Sequence, residues 1–217
     1  MAIYQPIARK RFGQNFLQDE QVLQQIVRSI NPQPNEHLVE IGPGLGALTK
    51  NLLSSKAKLS AVELDRNLIP HLLLQFGLFS NFKLYEGDAL TFDFAKLASN
   101  QQKLRLVGNL PYNIATPLIF KLLTQLDAIF DMHFMLQKEV VSRLAANSGS
   151  RDFGRLSIMV QYFCEAQHLF DVDPAAFKPS PKVQSAIVRL VPHKIKPFIA
   201  DDLTQFTHLV QKAFSQK

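Results

Sequence analysis

LVEIGPGLGALTKNLL, residues 38–53, leaves a strand-like apolar run and enters a helical one through Gly42, Gly44 and Gly46. Glycines between a strand and a helix let the chain turn sharply, and they let a ligand approach the amide groups at the helix N-terminus closely. The loop satisfies the dinucleotide pattern GxGxxA through Gly42, Gly44 and Ala47, with Glu63 at about the ~20-residue spacing of a ribose-binding acid. A nicotinamide-type cofactor is therefore one reading of this loop. A nucleotide-like ligand of another kind is the second.

Outward from the loop, short β-rich runs alternate with helical patterns, as in βαβ units around a parallel sheet. The pattern predicts strands over 37–41, 59–64, 82–86, 104–108 and 132–137, with helices over 45–53, 67–76 and 116–126. An opening helix over 21–30 is stopped by Pro32 and Pro34. Past the polar loop 148–152 come a helix over 153–163, a strand over 167–172, a proline-stiffened loop over 177–182 and an alternating strand over 183–191. The last two strands read as an antiparallel hairpin added at a sheet edge. The expected fold is α/β, doubly wound, with a mostly parallel seven-stranded sheet. An amphipathic helix over 201–214 follows.

The 217 residues are 47% hydrophobic, enough for one substantial core. Lys and Arg outnumber Asp and Glu by 24 to 18, a net charge of +6 that favours a polyanionic partner. The single Cys164 excludes an internal disulfide and a multi-cysteine zinc cluster, and its apolar neighbourhood reads as a buried, inert thiol. The N-terminus has no signal-like apolar stretch and no hydrophobic run reaches membrane-spanning length, so the expectation is a cytoplasmic protein with no membrane partner. The six histidines show no metal-ligand spacing and the carboxylates are not paired as in a hydrolase, so no metal is expected.

Three acids at successive strand ends choose between the two cofactor readings. Glu40, two residues before Gly42, suits a cationic ligand group such as the ammonium of a methionine moiety, and it would repel a pyrophosphate. Glu63 can accept both hydroxyls of a ribose. Asp88, in YEGDAL, is placed to accept from an adenine amine while Ala89 and Leu90 pack on the ring. All three stand where ligands bind in open α/β sheets. Together they point to S-adenosyl-L-methionine.

After the fourth strand comes Asn109-Leu110-Pro111-Tyr112. The exocyclic nitrogen of adenine is a poor nucleophile because its lone pair is delocalised into the ring. The side-chain oxygen of Asn109 and the backbone carbonyl of Leu110 can each accept one of its N–H groups, which turns the lone pair outward. Pro111 stiffens the backbone so that both acceptors converge, and Tyr112 offers a ring on which an extruded base can stack. Positioning supplies most of the catalysis expected here, because methyl transfer from a sulfonium is favourable once the atoms are in line.

Seven segments in order carry a resemblance over essentially the whole chain: Gln14-Asn15-Phe16-Leu17, the Glu40 to Gly46 loop, Glu63, Glu86-Gly87-Asp88-Ala89, the Asn109 motif, Met135-Leu136-Gln137-Lys138-Glu139-Val140 and Phe177-Lys178-Pro179-Ser180-Pro181-Lys182-Val183. The chain resembles the ribosomal RNA adenine dimethyltransferases, the kasugamycin-sensitivity enzymes, which share the class I methyltransferase fold with the erythromycin-resistance methylases. The resemblance implies N6,N6-dimethylation of two adjacent adenosines near the 3′ end of small-subunit (16S) ribosomal RNA, on a pre-30S particle, by a monomeric enzyme. It implies that Asn15 and Leu17 help close a cofactor pocket completed by Gly42, Glu63, Asp88 and Asn109, and that Phe177 stacks on the target base opposite Tyr112. A core role for Phe177 is the alternative. Arg9-Lys10-Arg11 and Phe12 could bind RNA or form a solvated arm. Family members continue past the segment matching 210–217, so the expected division is a methyltransferase domain over 1–192 and the start of a truncated C-terminal helical region over 193–217. Methylation of the large-subunit adenine used by resistance enzymes, and a non-catalytic RNA-binding role on the same fold, remain the competing functions.

Overall fold

The computed structural model describes residues 14–99 and 102–215, so the Arg9 to Phe12 arm lies outside the described residues. The chain enters through a two-residue strand, β1 (Phe16–Leu17). Asp19 then accepts from the amides of Gln21 and Val22 at 2.9 and 3.1 Å and starts α1 (Glu20–Ile30), which buries Leu23, Ile26 and Ile30 along one face. Five strands follow in βα alternation: β2 (His37–Ile41), α2 (Ala47–Leu53), β3 (Lys58–Glu63), α3 (Ile69–Phe76), β4 (Phe82–Glu86), β5 (Leu104–Asn109), α4 (Tyr112–Leu122) and β6 (Ile129–Gln137). Next come α5 (Lys138–Leu144), α6 (Arg155–Gln161), β7 (Cys164–Val172), the short β8 (Phe177–Lys178), β9 (Ser185–Pro192) and α7 (Leu203–Ala213).

Seven strands form one sheet in the order β4-β3-β2-β5-β6-β9-β7. β2 to β6 are mutually parallel, and β9 runs antiparallel to both of its neighbours. The expected hairpin is present, with its second strand threaded inside the edge strand β7. Both faces are covered. Leu38, Leu59, Val107, Met135 and Ile187 face a core shared with α1, α2 and α3, whereas Val39, Leu106, Phe134 and Val188 face one shared with α4, α5 and α6. Buried faces on both sides explain why these strands read as near-continuous apolar runs. Across β5, β6 and β9 a buried network ties the strands together: Arg105 holds Asp131 through two hydrogen bonds of 2.8 and 2.9 Å, and Arg189 reaches the same carboxylate at 3.1 Å.

From β2 the chain moves one way to β3 and β4, then crosses over to β5 on the other side. This reversal opens a crevice beyond the carboxyl ends of β2 and β5, where doubly wound folds bind ligands. Three local expectations change. α4 begins at Tyr112 and carries Pro117 inside it at an exposed position, four residues earlier than the pattern predicts, because Pro111 sets the entry and its carbonyl accepts from Ile114 and Ala115. Residues 138–144 form the helix α5, where the pattern predicts no element. Phe177 and Lys178, expected in a loop, pair with β1, Leu17 opposite Phe177.

Cys164 is buried without a partner thiol, and burial pushes its pKa up to about 12, which leaves the thiol inert.

Candidate active site

A cavity of about 370 Å³ fills the crevice. Its walls come from the carboxyl ends of β2, β3, β4 and β5 with the residues just after them, and from the N-terminal segment: Asn15, Leu17, Glu40, Gly42, Gly44, Glu63, Asp88, Ala89 and all of Asn109, Leu110, Pro111 and Tyr112 line it. Sequence separation is no guide to this convergence. The crossover from β4 to β5 brings the strand ends together.

Glu40, near the end of β2, is 2% exposed, and the Thr49 hydroxyl in α2 donates to it at 2.6 Å. Burial, with the nearby Glu63 charge, pushes its pKa up to about 7 against the pull of the Thr49 bond. Glu63 is 5% exposed, and burial raises its pKa as well. Its two oxygens accept from the backbone N–H groups of Gly44 at 3.2 Å and Asp65 at 2.8 Å, which fixes the carboxylate and leaves a further acceptor site on each oxygen. Two buried acids make the cavity welcoming to a cation. The Asp88 carboxylate accepts from the Leu90 amide at 2.8 Å, and Lys121 of α4 donates to the carbonyls of Ala89 and Phe92, so this loop is held from both ends.

The N-terminal segment crosses over these strand ends. Gln14 donates to Asp65 at 3.2 Å, the Gln18 amide donates to the Ala176 carbonyl at 2.8 Å, and β1 pairs antiparallel with β8. The Asn15 carbonyl accepts from the Asn109 side-chain amide at 2.9 Å. Because an amide nitrogen can only donate to a carbonyl, this bond sets which end of Asn109 is oxygen and turns that oxygen away from Asn15. Leu110 is anchored by its N–H to the Met135 carbonyl at 3.1 Å and by its buried side chain.

Two predicted residues stand apart. Gly46 does not line the cavity: it caps α2 with φ of 84°, and a Cβ there would meet the Phe76 ring at 2.4 Å, so its glycine serves packing between α2 and α3. Phe177 is 6% exposed, packs in the core with Leu17, Leu23 and Val172, and is also absent from the lining. Its position corresponds to the alternative of a core residue that holds β1 in place. Conversely, Thr49 and His133 belong to the site or its support and lie outside every sequence motif, and Gln14 and Phe16, which lie within one, also line the cavity. His133 lines the cavity from β6 with neither ring nitrogen hydrogen-bonded, and burial lowers its pKa to about 4. Among the described residues no group of three or more His, Cys, Asp or Glu could hold a metal ion, and no helix is long and apolar enough to cross a membrane.

This sheet order, with its acid-lined crevice, defines a class I methyltransferase. Solved structures of this kind resemble it closely: a dimethyladenosine transferase from Plasmodium falciparum superposes with a TM-score of 0.81 at 30% identity, covering 93% of this chain and 71% of that one. The 23S rRNA methyltransferase ErmE superposes with a TM-score of 0.77 at 26% identity, covering 91% and 78%. The family model described as ribosomal RNA adenine dimethylase matches residues 7–217. The ribosomal RNA small subunit methyltransferase A of Pseudomonas putida is 58% identical over 99% of this chain and 80% of its own length, and that of Pseudomonas aeruginosa is 59% identical over 99% and 80%. The chain belongs to the ribosomal RNA adenine dimethylase family.

Proposed function

We propose that this enzyme transfers methyl groups from S-adenosyl-L-methionine to the exocyclic nitrogens of two adjacent adenosines near the 3′ end of small-subunit ribosomal RNA during assembly of that subunit in the cytoplasm. The observation that carries the chemistry is the Asn109 amide, oriented by the Asn15 carbonyl at the wall of an acid-lined cavity. The donor set fits the cofactor. Glu40 faces its ammonium, Glu63 accepts from its ribose hydroxyls, Asp88 accepts from its adenine amine, Ala89 packs on the ring, and Gly42 and Gly44 allow close backbone approach. When bound, the cofactor supplies an electrophilic methyl group on a cationic sulfur.

Asn109 and the Leu110 carbonyl accept the two N–H groups of the target amine. Pro111 favours the Leu110 carbonyl for this role, since its own carbonyl is taken up by the start of α4. The amine lone pair then points at the methyl group instead of into the adenine ring. Tyr112 provides a face for the extruded base, whose unstacking costs a few kcal/mol that stacking on an aromatic ring offsets. Asn15 and Leu17 close the cavity from above. The Pseudomonas relatives, 58% and 59% identical, carry a small-subunit name, whereas ErmE, at 26% identity, carries a large-subunit one, and this supports the small subunit as substrate.

The test is to incubate the protein with labelled S-adenosylmethionine and unmethylated small ribosomal subunits and to map the label. Two adjacent adenosines near the 3′ end are the expected sites. Label on large-subunit RNA only, or none, would refute the proposal. Asn109→Ala is expected to slow transfer by roughly 100-fold or more, the scale of removing one positioned polar group from a transition state. Cofactor affinity should fall only a few-fold, through loss of the tie to Asn15.

A further inference from the structure

Tyr112 is tethered by a residue that belongs to none of the recognised motifs. Ser185 opens β9, is wholly buried, and places its Oγ 2.9 Å from the Tyr112 hydroxyl, with either group able to donate. Its backbone is held on both sides, opposite Gln137 at the end of β6 and Val172 at the end of β7. The preceding residue, Gln184, accepts from the Lys138 amide at 3.0 Å. Ser185 is therefore a rigid point at the carboxyl edge of the sheet, beneath the start of α4. The residues after it, Ala186, Ile187 and Val188, are buried and apolar. A hydroxyl among them is removed from water, a cost that the bond to Tyr112 offsets.

A tyrosine ring is oriented by two side-chain torsions. The first turn of α4 holds one end of Tyr112 and the bond to Ser185 holds the other, so the ring plane is set before a base arrives. We propose that Ser185 is a positioning residue for the target adenine, acting through Tyr112. The hydrogen bond also ties the Asn109 to Tyr112 loop to the strand that follows the Phe177 to Val183 segment, so two parts of the site 73 residues apart keep one relative position. The inference rests on the reading of Tyr112 as the platform for the base. Fixed orientation should act on the rate once RNA is bound, because the bulk of the affinity for a ribosomal particle comes from a wider surface.

The bond can be removed from either side, by Ser185→Ala or by Tyr112→Phe. Single-turnover transfer to saturating unmethylated small ribosomal subunits is measured for both variants, for the double variant and for Tyr112→Ala, along with the KM from steady-state rates over a range of subunit concentrations, cofactor Kd and melting temperature. Each single variant is expected to be slower by roughly tenfold, with the double variant no slower than either, the KM for the subunits and the cofactor Kd within about twofold of wild type, and Tyr112→Ala slower still. If Tyr112→Ala is slow while Ser185→Ala and Tyr112→Phe keep the wild-type rate, the tether is irrelevant and the platform reading stands. If Tyr112→Ala keeps the wild-type rate, both fall. Losses that multiply in the double variant would show that Ser185 acts by another route and overturn the proposal. Should Ser185→Ala fold poorly, Tyr112→Phe, altered at a partly exposed position, still decides: a wild-type rate there refutes the tether.

Discussion

Gly46 and Gly42 belong to one motif, yet the structure separates their roles, and an alanine at each should fail differently. At Gly46, φ of 84° forces a left-handed backbone that costs a non-glycine residue about 1–2 kcal/mol. The new methyl would stand 2.4 Å from Phe76 Cε2 and 2.8 Å from Cζ. Phe76 cannot simply swing aside, because it packs edge-on against Phe82 with centroids 5.7 Å apart and also touches Phe79. Overpacking of this kind adds about 1–3 kcal/mol. The total, about 2–5 kcal/mol, corresponds to a fall in Tm of roughly 4–20 °C for a chain of this length. Gly42, with φ of 68°, has nothing within 4 Å of its added methyl, so Gly42→Ala should lose only about 1–2 kcal/mol of stability. Its methyl, however, stands at the cavity lining, and cofactor affinity should drop at least about tenfold, or 1.4 kcal/mol. Thermal unfolding without ligand and titration calorimetry with S-adenosylhomocysteine read the two quantities separately. A Gly46→Ala protein that melts like wild type but binds cofactor tenfold more weakly would refute this division.

Two further expectations follow from the site. Glu40 has a folded pKa of about 7 against an ordinary glutamate value of 4.5, so the folded state holds the extra proton between these values and loses stability as pH rises from about 4.5 to about 7, by an amount on the order of 3 kcal/mol. A cationic ligand favours the carboxylate, so S-adenosylhomocysteine should bind more tightly as pH rises from 5.5 to about 7 and level off above; Glu40→Gln should melt higher than wild type at pH 8, bind more weakly there and lose this pH dependence, and a flat wild-type affinity profile would count against the assignment. His37 and His133, each lowered to about 4 chiefly by burial, act in the opposite sense as pH falls from 6.5, so the comparison is made as the difference between wild type and Glu40→Gln. Phe177→Ala should cost about 3–5 kcal/mol by urea unfolding, as deletion of a buried aromatic does, and should weaken cofactor binding by loosening β1; full stability with transfer alone lost would restore Phe177 to the target base.

Much of the fold was legible because the parallel strands are buried on both faces and read as bounded apolar runs, with glycine, proline and aspartate marking their ends. The strand over 37–41, buried along its whole length, and the sheet class follow directly from that pattern. Boundaries moved where a local signal was ambiguous. Apolar spacing predicts a helix from 116, but Pro111 opens it earlier and the ring of Pro117 is accommodated on the solvent side. Phe177 reads as a loop aromatic beside two prolines, and only its pairing with a strand 160 residues earlier makes it core.

The chemistry of the site was likewise local in part. Acidic residues at successive strand ends, the glycine loop and the Asn109 motif are each written in a few contiguous residues, and their types limit what they can bind. Their convergence on one cavity, the burial that raises Glu40, the bond that orients Asn109 and the contact from Ser185 to Tyr112 are products of tertiary structure. The physical reason is that side-chain chemistry and hydrophobic period are properties of the chain, whereas desolvation, hydrogen-bond partnership and steric contact depend on which distant segments the sheet order brings together. Glycine shows the division most simply: the sequence places three in one loop, and only the packed molecule decides which faces the ligand and which faces Phe76.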